Sequence, residues 1–496
     1  MMTFFYKKNE NEGDFALPPE LKTHLKWCIT YLMLYLLMYG YSIFRLGLHQ
    51  DEVYDFNGEE MGLYFAVGRW SLVLWREIFG IGSCLYAAGI VTALLTSVTI
   101  VCQTCLLKLT SNVQRAIYGC FYLGCIYQVY VLEYSFQCDA MAGGILAVTA
   151  AVALLQQKAG WGRLLMSIAC IAFAFGTYQA TCFYFAALWL ACEIRNMQTD
   201  RGAGFAKRLT CFIVSGLGAA LIWQGIKYAL IQNAAVTEEH LNYVRNYHKV
   251  ITGWDEMLEG TMQEKLAMIS SQCQLLFWSL MGRVYTGQWV YATALIPVGV
   301  LGLTFLCRKN WLGIVLLLLL WIAPYGLAPV LLRQQPPHTM IAEPVAVACL
   351  WGLFAASGYM RPVIYRALII LIPFMLIKST YTASLKTKKD TIAFQTNISE
   401  LTQMRYRALQ TAAAAGTEAK RILLIGQAPR PLISGYLQHF YLRYMSYDDL
   451  MHISTTDDNA QYAAEINQMS DWPAAGSVRV IGDTVLIRMG ATAESK

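Results

Sequence analysis

Five stretches of this sequence run for about 18 residues or more without a single Asp, Glu, Lys or Arg, long enough to cross a bilayer as helices. They are 27–44, 78–107, 164–192, 284–307 and 311–332, with shorter charge-free runs at 116–132, 140–157 and 344–360. A backbone amide in hydrocarbon finds no water, so such segments must satisfy their own hydrogen bonds as helices. Only 14% of all residues are charged, against roughly 25% in soluble domains. The fold class expected is therefore an α-helical polytopic membrane protein. The first span begins after a polar stretch, is long, and has no small-x-small cleavage pattern behind it, so it reads as a retained span and not a signal peptide.

Lys and Arg sit in the short connections, and the positive-inside rule turns them into a map. Lys7, Lys8, Lys22 and Lys26 hold the N-terminus in the cytoplasm. Lys108 and Arg115, then Lys158 and Arg163, mark cytoplasmic turns. The run 164–192 is basic on both flanks, which a single crossing cannot satisfy. Two shorter helices turning at Gly176-Thr177-Tyr178-Gln179 can. Continued along the chain, the map gives about 11 transmembrane helices over residues 1–380, an external loop at 45–77, and polar external loops at 231–283 and 333–343. Lys378, Lys386, Lys388 and Lys389 argue for the cytoplasm after the last span, but the alternation places residues 381–496 outside. That tail reads as a small soluble α/β domain, with a buried strand at Arg421–Gly426 and a hairpin turning near Gly482-Asp483.

The net charge of +6 is explained by these loops and calls for no nucleic acid. The 13 Trp and 30 Tyr suit interfacial belts. Cys102-Gln-Thr-Cys105 has metal-like spacing but lies in an apolar helix without His or acidic neighbours, so it reads as structural. No internal repeat of the kind transporters use is evident.

Chemistry is concentrated just beyond the first span. Asp51, Glu52 and Asp55 fall together in the first external loop, and Gly68-Arg69-Trp70 follows. Sugar transfer from a lipid phosphate needs a base for the acceptor hydroxyl and cationic donors for the departing phosphate. Carboxylates in a wet loop are ionised at neutral pH and can take that proton. Asp51 is the first choice and Glu52 the second; Asp55 is a sugar or acceptor contact. The competing reading is that these acids merely solvate the loop. As oxygen ligands they also suit a divalent cation, Mg or Mn, although three nearby acids in a loop often occur by chance. Arg69 offers planar donors for phosphate, and Trp70–Phe79 is expected to lie along the membrane surface as an amphipathic helix. Arg283 and Arg333, at the external edges of their spans, are further phosphate candidates whose default is snorkelling. Asp139 either caps its helix or contacts sugar. Tyr178 and Gln179 hydrogen-bond either a sugar or a neighbouring helix. His248 and His338 read as surface residues.

The acidic loop with Asp51, Gly68-Arg69-Trp70, the Tyr134…Asp139-Ala140 entry to the fourth span and Phe175-Gly-Thr-Tyr178-Gln179 together resemble the Gtr-type bacterial membrane glucosyltransferases, the serotype-converting kind. The resemblance implies a GT-C-like fold, a catalytic acid in the first external loop (Asp51 or Glu52), and Arg69 at the donor phosphate. It also implies a polyprenyl-phosphate-linked donor, commonly glucose, an O-antigen or related surface glycan as acceptor, and the bacterial plasma membrane as location. A permease or flippase for a lipid-linked glycan is the alternative. It would want ionisable residues within the spans, which are nearly free of them. A non-catalytic scaffold recruiting envelope proteins through the tail is a third reading.

Overall fold

The apolar runs do form helices, and where they break the cause is local. The computed structural model describes residues 19–44, 61–79, 85–132, 137–157, 160–199, 203–233, 236–251, 254–284, 289–326, 339–358, 362–426, 450–454 and 456–489. Helix α1 (Pro19–Ile43) is followed by the short α2 (Met61–Val67) and α3 (Trp70–Phe79), then α4 (Leu85–Leu106). The next apolar run divides at Gly124 into α5 (Asn112–Leu123) and α6 (Tyr127–Leu132). Helix α7 (Cys138–Leu155) leads to α8 (Trp161–Thr177) and α9 (Thr181–Thr199), the pair expected from the basic flanks of 164–192.

The long α10 (Phe205–Asn233) follows. The segment read as a polar loop, 231–283, is largely helical: α11 (Glu238–Ile251), α12 (Trp254–Glu259) and α13 (Met262–Leu280). Glu238, Arg245, Glu259 and Glu264 are exposed on these helices, and a capping box between Thr261 and Glu264 starts α13. Helices α14 (Trp289–Ala292), α15 (Leu295–Cys307) and α16 (Trp311–Ile322) come next, the last passing into a 3-10 turn that contains Pro324. Then follow α17 (Glu343–Ala356) and α18 (Pro362–Ala414).

Among the described residues four stretches, Ala87–Leu106, Cys138–Leu155, Phe205–Asn233 and Trp289–Cys307, are long and apolar enough to cross a membrane. Trp161–Thr177, Trp311–Tyr325 and Glu343–Ala356 are shorter apolar helices. This is a mostly helical membrane protein with one small sheet.

Hydroxyl and amide groups tie the helices at matching heights. Tyr31 Oη donates to the Arg115 carbonyl at 2.9 Å and Tyr39 Oη to the Leu123 carbonyl, so α1 and α5 run in the same direction. Helix α17 runs the opposite way: Gln114 Nε2 reaches the Ala355 carbonyl at 3.4 Å, while Cys125 meets Glu343. A buried polar belt crosses the interior. Gln103 of α4 donates to Thr149 Oγ1 of α7 at 3.0 Å and to Tyr184 Oη of α9 at 2.5 Å, and accepts from Tyr118 Oη of α5 at 2.8 Å. Interhelical hydrogen bonds of this kind fix register where burial of apolar surface gives no directional force. By these contacts one end of the bundle is basic, with Lys108, Arg115, Arg195 and Arg208. The opposite end holds Gly68, Gly124, the heads of α7 and α17, and the turn between α8 and α9.

Helix α18 is continuous for 53 residues and passes without a break across the expected boundary at 380. Ser379 Oγ anchors it to the Gly124 carbonyl at 2.7 Å. Its distal part packs Leu401, Met404, Ala408 and Ala412 onto one face of a four-stranded sheet. The strands are β1 (Arg421–Ile425), β2 (Met451–Ile453), β3 (Val478–Ile481) and β4 (Thr484–Arg488), with α19 (Thr456–Gln461) and α20 (Ala463–Ile466) between β2 and β3. The order is β2-β1-β4-β3, with β1 parallel to β2 and β4, and β3 antiparallel to β4. Alternation explains the two cores. Ile422 and Leu424 face α18, whereas Leu423 and Ile425 meet Ile466 and Met469.

Candidate active site

Helix α2 ends at Gly68, whose φ of +83° a side chain would strain. Space excludes a side chain as well, since a Cβ there would fall 2.7 Å from the Trp223 ring. Trp223 Nε1 donates to the Gly68 carbonyl at 2.8 Å, so α10 grips the turn. Arg69 follows at once, its amide bonded back to the Tyr64 carbonyl at 2.8 Å. The backbone thus sets where the guanidinium starts.

Three groups then fix where it ends. Arg69 Nη1 donates to Gln137 Oε1 at 3.2 Å, and Gln137 Nε2 donates to Tyr64 Oη at 2.9 Å. The guanidinium carbon lies 5.2 Å from the centre of the Tyr178 ring, within cation–π range. Arg69 Nε is buried and has no hydrogen-bond partner among the described residues. A buried N–H without an acceptor costs about 1–3 kcal/mol, which an anionic oxygen beside it would remove. Lys227 adds a second cation nearby, its Nζ 5.8 Å from the Trp223 ring.

Helix α3 spans Trp70–Phe79 as the sequence reading had it. Leu72 and Val73 are buried while Leu74, Ile78 and Phe79 are exposed. Trp75 Nε1 donates to Asp139 Oδ2 at 2.8 Å. Asp139 is the second residue of α7, so its carboxylate lies in the first turn of that helix and holds α3 on α7 through Trp75. Gly143 lets the Trp75 ring approach: a Cβ there would be 2.8 Å from it. Arg76 lies over the Tyr64 ring at 5.3 Å.

The turn between α8 and α9 closes this corner from below. Gln179 Nε2 donates to the Val67 carbonyl at 2.8 Å, and Ser71 Oγ donates to the Phe173 carbonyl at 2.5 Å. Gly176 is pressed against Ser71 and Trp70, with no room for a Cβ. The turn's polar groups are buried in protein, the condition for irregular backbone at membrane depth.

Of the residues singled out in the sequence, Arg69, Asp139, Tyr178 and Gln179 converge here. Arg283 does not join them by any described contact; it stacks on Trp278 at 5.2 Å, at the end of α13. Asp51, Glu52, Asp55 and Arg333 lie outside the described residues. Among the described residues no group of three or more His, Cys, Asp or Glu could hold a metal ion.

The structure adds a carboxylate that the sequence reading passed over. Glu343, the first residue of α17, is 3% exposed. Cys125 Sγ donates to its Oε1 at 3.1 Å and Tyr325 Oη to its Oε2 at 3.4 Å. Tyr127, two residues from Cys125, has a buried hydroxyl with no partner among the described residues. Through its bonds to Cys125 and Tyr325, Glu343 ties the α5–α6 junction to the 3-10 turn after α16. The signal was available: a lone acid followed by Pro344 at the head of a charge-free run. It was read only as the edge of that run.

This corner can bind an anion at Arg69 and stack a flat or sugar-like face on tyrosine. A family model described as Glucosyl transferase GtrII matches residues 46–351, a span that includes each of these side chains. No curated protein and no solved structure matches the chain.

Proposed function

The chain belongs to the GtrII glucosyl transferase family, and we propose that it moves a hexose, glucose first, from a polyprenyl-phosphate donor to an extracytoplasmic surface glycan. Membership supports a glycosyltransferase with a sugar donor and an acceptor. The observation that carries the finer reading is Arg69: a guanidinium held by Gln137 and Tyr178, its buried Nε without a partner among the described residues. That is a donor prepared for an oxygen that arrives with the substrate.

In this reading the acceptor hydroxyl attacks the anomeric carbon of the lipid-linked sugar. A new carbon–oxygen bond forms as the bond from that carbon to the phosphate oxygen breaks. The phosphate leaves with the bonding electrons, and Arg69 stabilises the charge it gains. Asp51, or failing it Glu52, takes the hydroxyl proton, with Asp55 beside the sugar. Asp139 acts through Trp75 to seat α3, and Gln179 holds the turn that presents Tyr178. Glu343 and Tyr127 line the deeper part of the sugar site. Arg283 and Arg333 guide the donor headgroup from the rim. The fold is GT-C-like with eleven spans in a bacterial plasma membrane, the N-terminus cytoplasmic, and the membrane and tail domains dividing at 380. The tail beyond α18 lies on the acceptor side.

The test is transfer of radiolabelled sugar from polyprenyl-phosphate glucose to envelope glycan by purified protein in liposomes, wild type beside Asp51→Asn and Glu52→Gln. Transfer by wild type with loss in the Asp51 variant supports the reading. Full activity in both folded variants overturns the base assignment. Movement of labelled lipid across the bilayer without transfer replaces the enzyme with a flippase.

A further inference from the structure

The basic end of the bundle, remote from Arg69, contains a cavity of about 690 Å³ between α7, α8 and α10. Arg163, Lys207 and Arg208 line it together with Gln156, and no acidic residue is among its lining as far as the described residues go. Arg208 is held by Glu193, to which it donates from Nε at 2.8 and 3.0 Å and from Nη2 at 2.8 Å. Arg163 and Lys207 are exposed, and both line the cavity.

Two helix N-termini meet at the same place. Gly160, the N-cap of α8, gives no side-chain cap to its first amides. Gly204 stands at the head of α10 and also lines the cavity. Helices of 17 and 29 residues thus direct their positive ends where the cations already lie.

The remaining walls are apolar: Leu154, Leu155, Leu164 and Cys211. Beside the mouth, Trp161 is 82% exposed, and Leu165 and Met166 of α8 and Leu217 of α10 continue an exposed apolar surface along the two helices. A soluble anion has no use for such walls. A lipid has, because its chains can follow that surface while its headgroup enters the cationic pocket.

We propose that this cavity binds the phosphate headgroup of an anionic membrane lipid from the leaflet at the basic end. Arg163, Lys207 and the two helix heads hold the phosphate; Arg208, pinned by Glu193, shapes the wall. The site is separate from the sugar-transfer corner and does not depend on that reading.

The experiment is native mass spectrometry of the full-length protein in detergent, titrated with phosphatidylglycerol, with diacylglycerol lacking the phosphate, and with inorganic phosphate. The variants are Arg163→Gln/Lys207→Gln and the charge-preserving Arg163→Lys/Lys207→Arg. We expect phosphatidylglycerol to be retained over diacylglycerol, and the neutral variant to bind it about tenfold more weakly or worse, as the loss of two juxtamembrane cations implies. The charge-preserving variant retains binding, and an unchanged melting temperature shows that the neutral variant is folded. Equal retention of phosphatidylglycerol by wild type and the folded neutral variant overturns the proposal. So does equal binding of diacylglycerol, or saturation by inorganic phosphate without any preference for the lipid.

Discussion

The Arg69 guanidinium sits 5.2 Å from the centre of the Tyr178 ring, joining the turn after α2 to the turn after α8. Neither turn is near the other in sequence, and each is locked by its own contacts, Gly68 under Trp223 and Gln179 on the Val67 carbonyl.

Replacing Arg69 with Ala should lower the transfer rate constant by about a hundredfold or more, the usual scale for removing one donor to a developing anion. Arg69→Lys should recover only part of it, because the ammonium keeps the charge but loses the planar fork. Transfer kinetics on folded protein decide this; a Lys variant with full activity would leave only charge as the requirement.

Gly68→Ala should destabilise the turn by about 1–3 kcal/mol, combining a strained φ with a collision against Trp223. Arg69 would be displaced with it. Activity should therefore fall more than thermal stability. An Ala variant with wild-type kinetics would show that the turn does not position Arg69.

Glu343→Ala should loosen the junction of α5, α6 and α17, since Cys125 and Tyr325 lose a buried acceptor. Maleimide labelling of Cys125, followed by peptide mass spectrometry, should be faster in the variant than in the wild type, where that thiol is fully buried. Glu343→Gln keeps an acceptor and should label slowly while still losing transfer. Unchanged labelling and transfer in both would reduce Glu343 to packing.

Arg208→Ala should be among the most damaging single changes, about 3–5 kcal/mol, because it strands the buried Glu193 carboxylate. The pair Glu193→Gln/Arg208→Gln should recover much of that loss in a double-mutant cycle read by thermal unfolding. Additive losses would mean the two side chains do not stabilise one another.

How much of this was legible in the sequence follows from what each segment had to satisfy. Charge-free runs had one backbone solution, so their helices were readable, and the basic flanks of 164–192 forced the α8–α9 pair. A short apolar run ending at Gly426 marked β1, and the Gly482-Asp483 turn marked the β3–β4 hairpin. Segment 236–280 was misread because polar helix faces and polar loops share a composition; only periodicity separates them. The continuity of α18 past 380 was hidden for the same reason. At the site, Arg69 and Tyr178 were visible as motif residues, but their contact is tertiary. Glu343 was overlooked because a single acid beside a long apolar run looks like a boundary marker. Asp51, Glu52 and Asp55, on which the chemistry rests, lie outside the described residues.

Helix α18 has a mechanical consequence. Fifty-three residues at 1.5 Å each give a contour length of about 80 Å, against a hydrocarbon core of about 30 Å. Ser379 clamps this rod to Gly124 at one height, and the sheet is packed on its far turns. Length and azimuth are therefore coupled. Each residue inserted between Ser379 and Leu401 would push the sheet outward by about 1.5 Å and swing it by about 100° around the axis. A seven-residue insertion nearly restores the azimuth while adding about 10 Å of reach. The helix behaves as a graduated shaft, on which each added residue sets distance and heading together and only near-whole numbers of turns change reach at fixed heading.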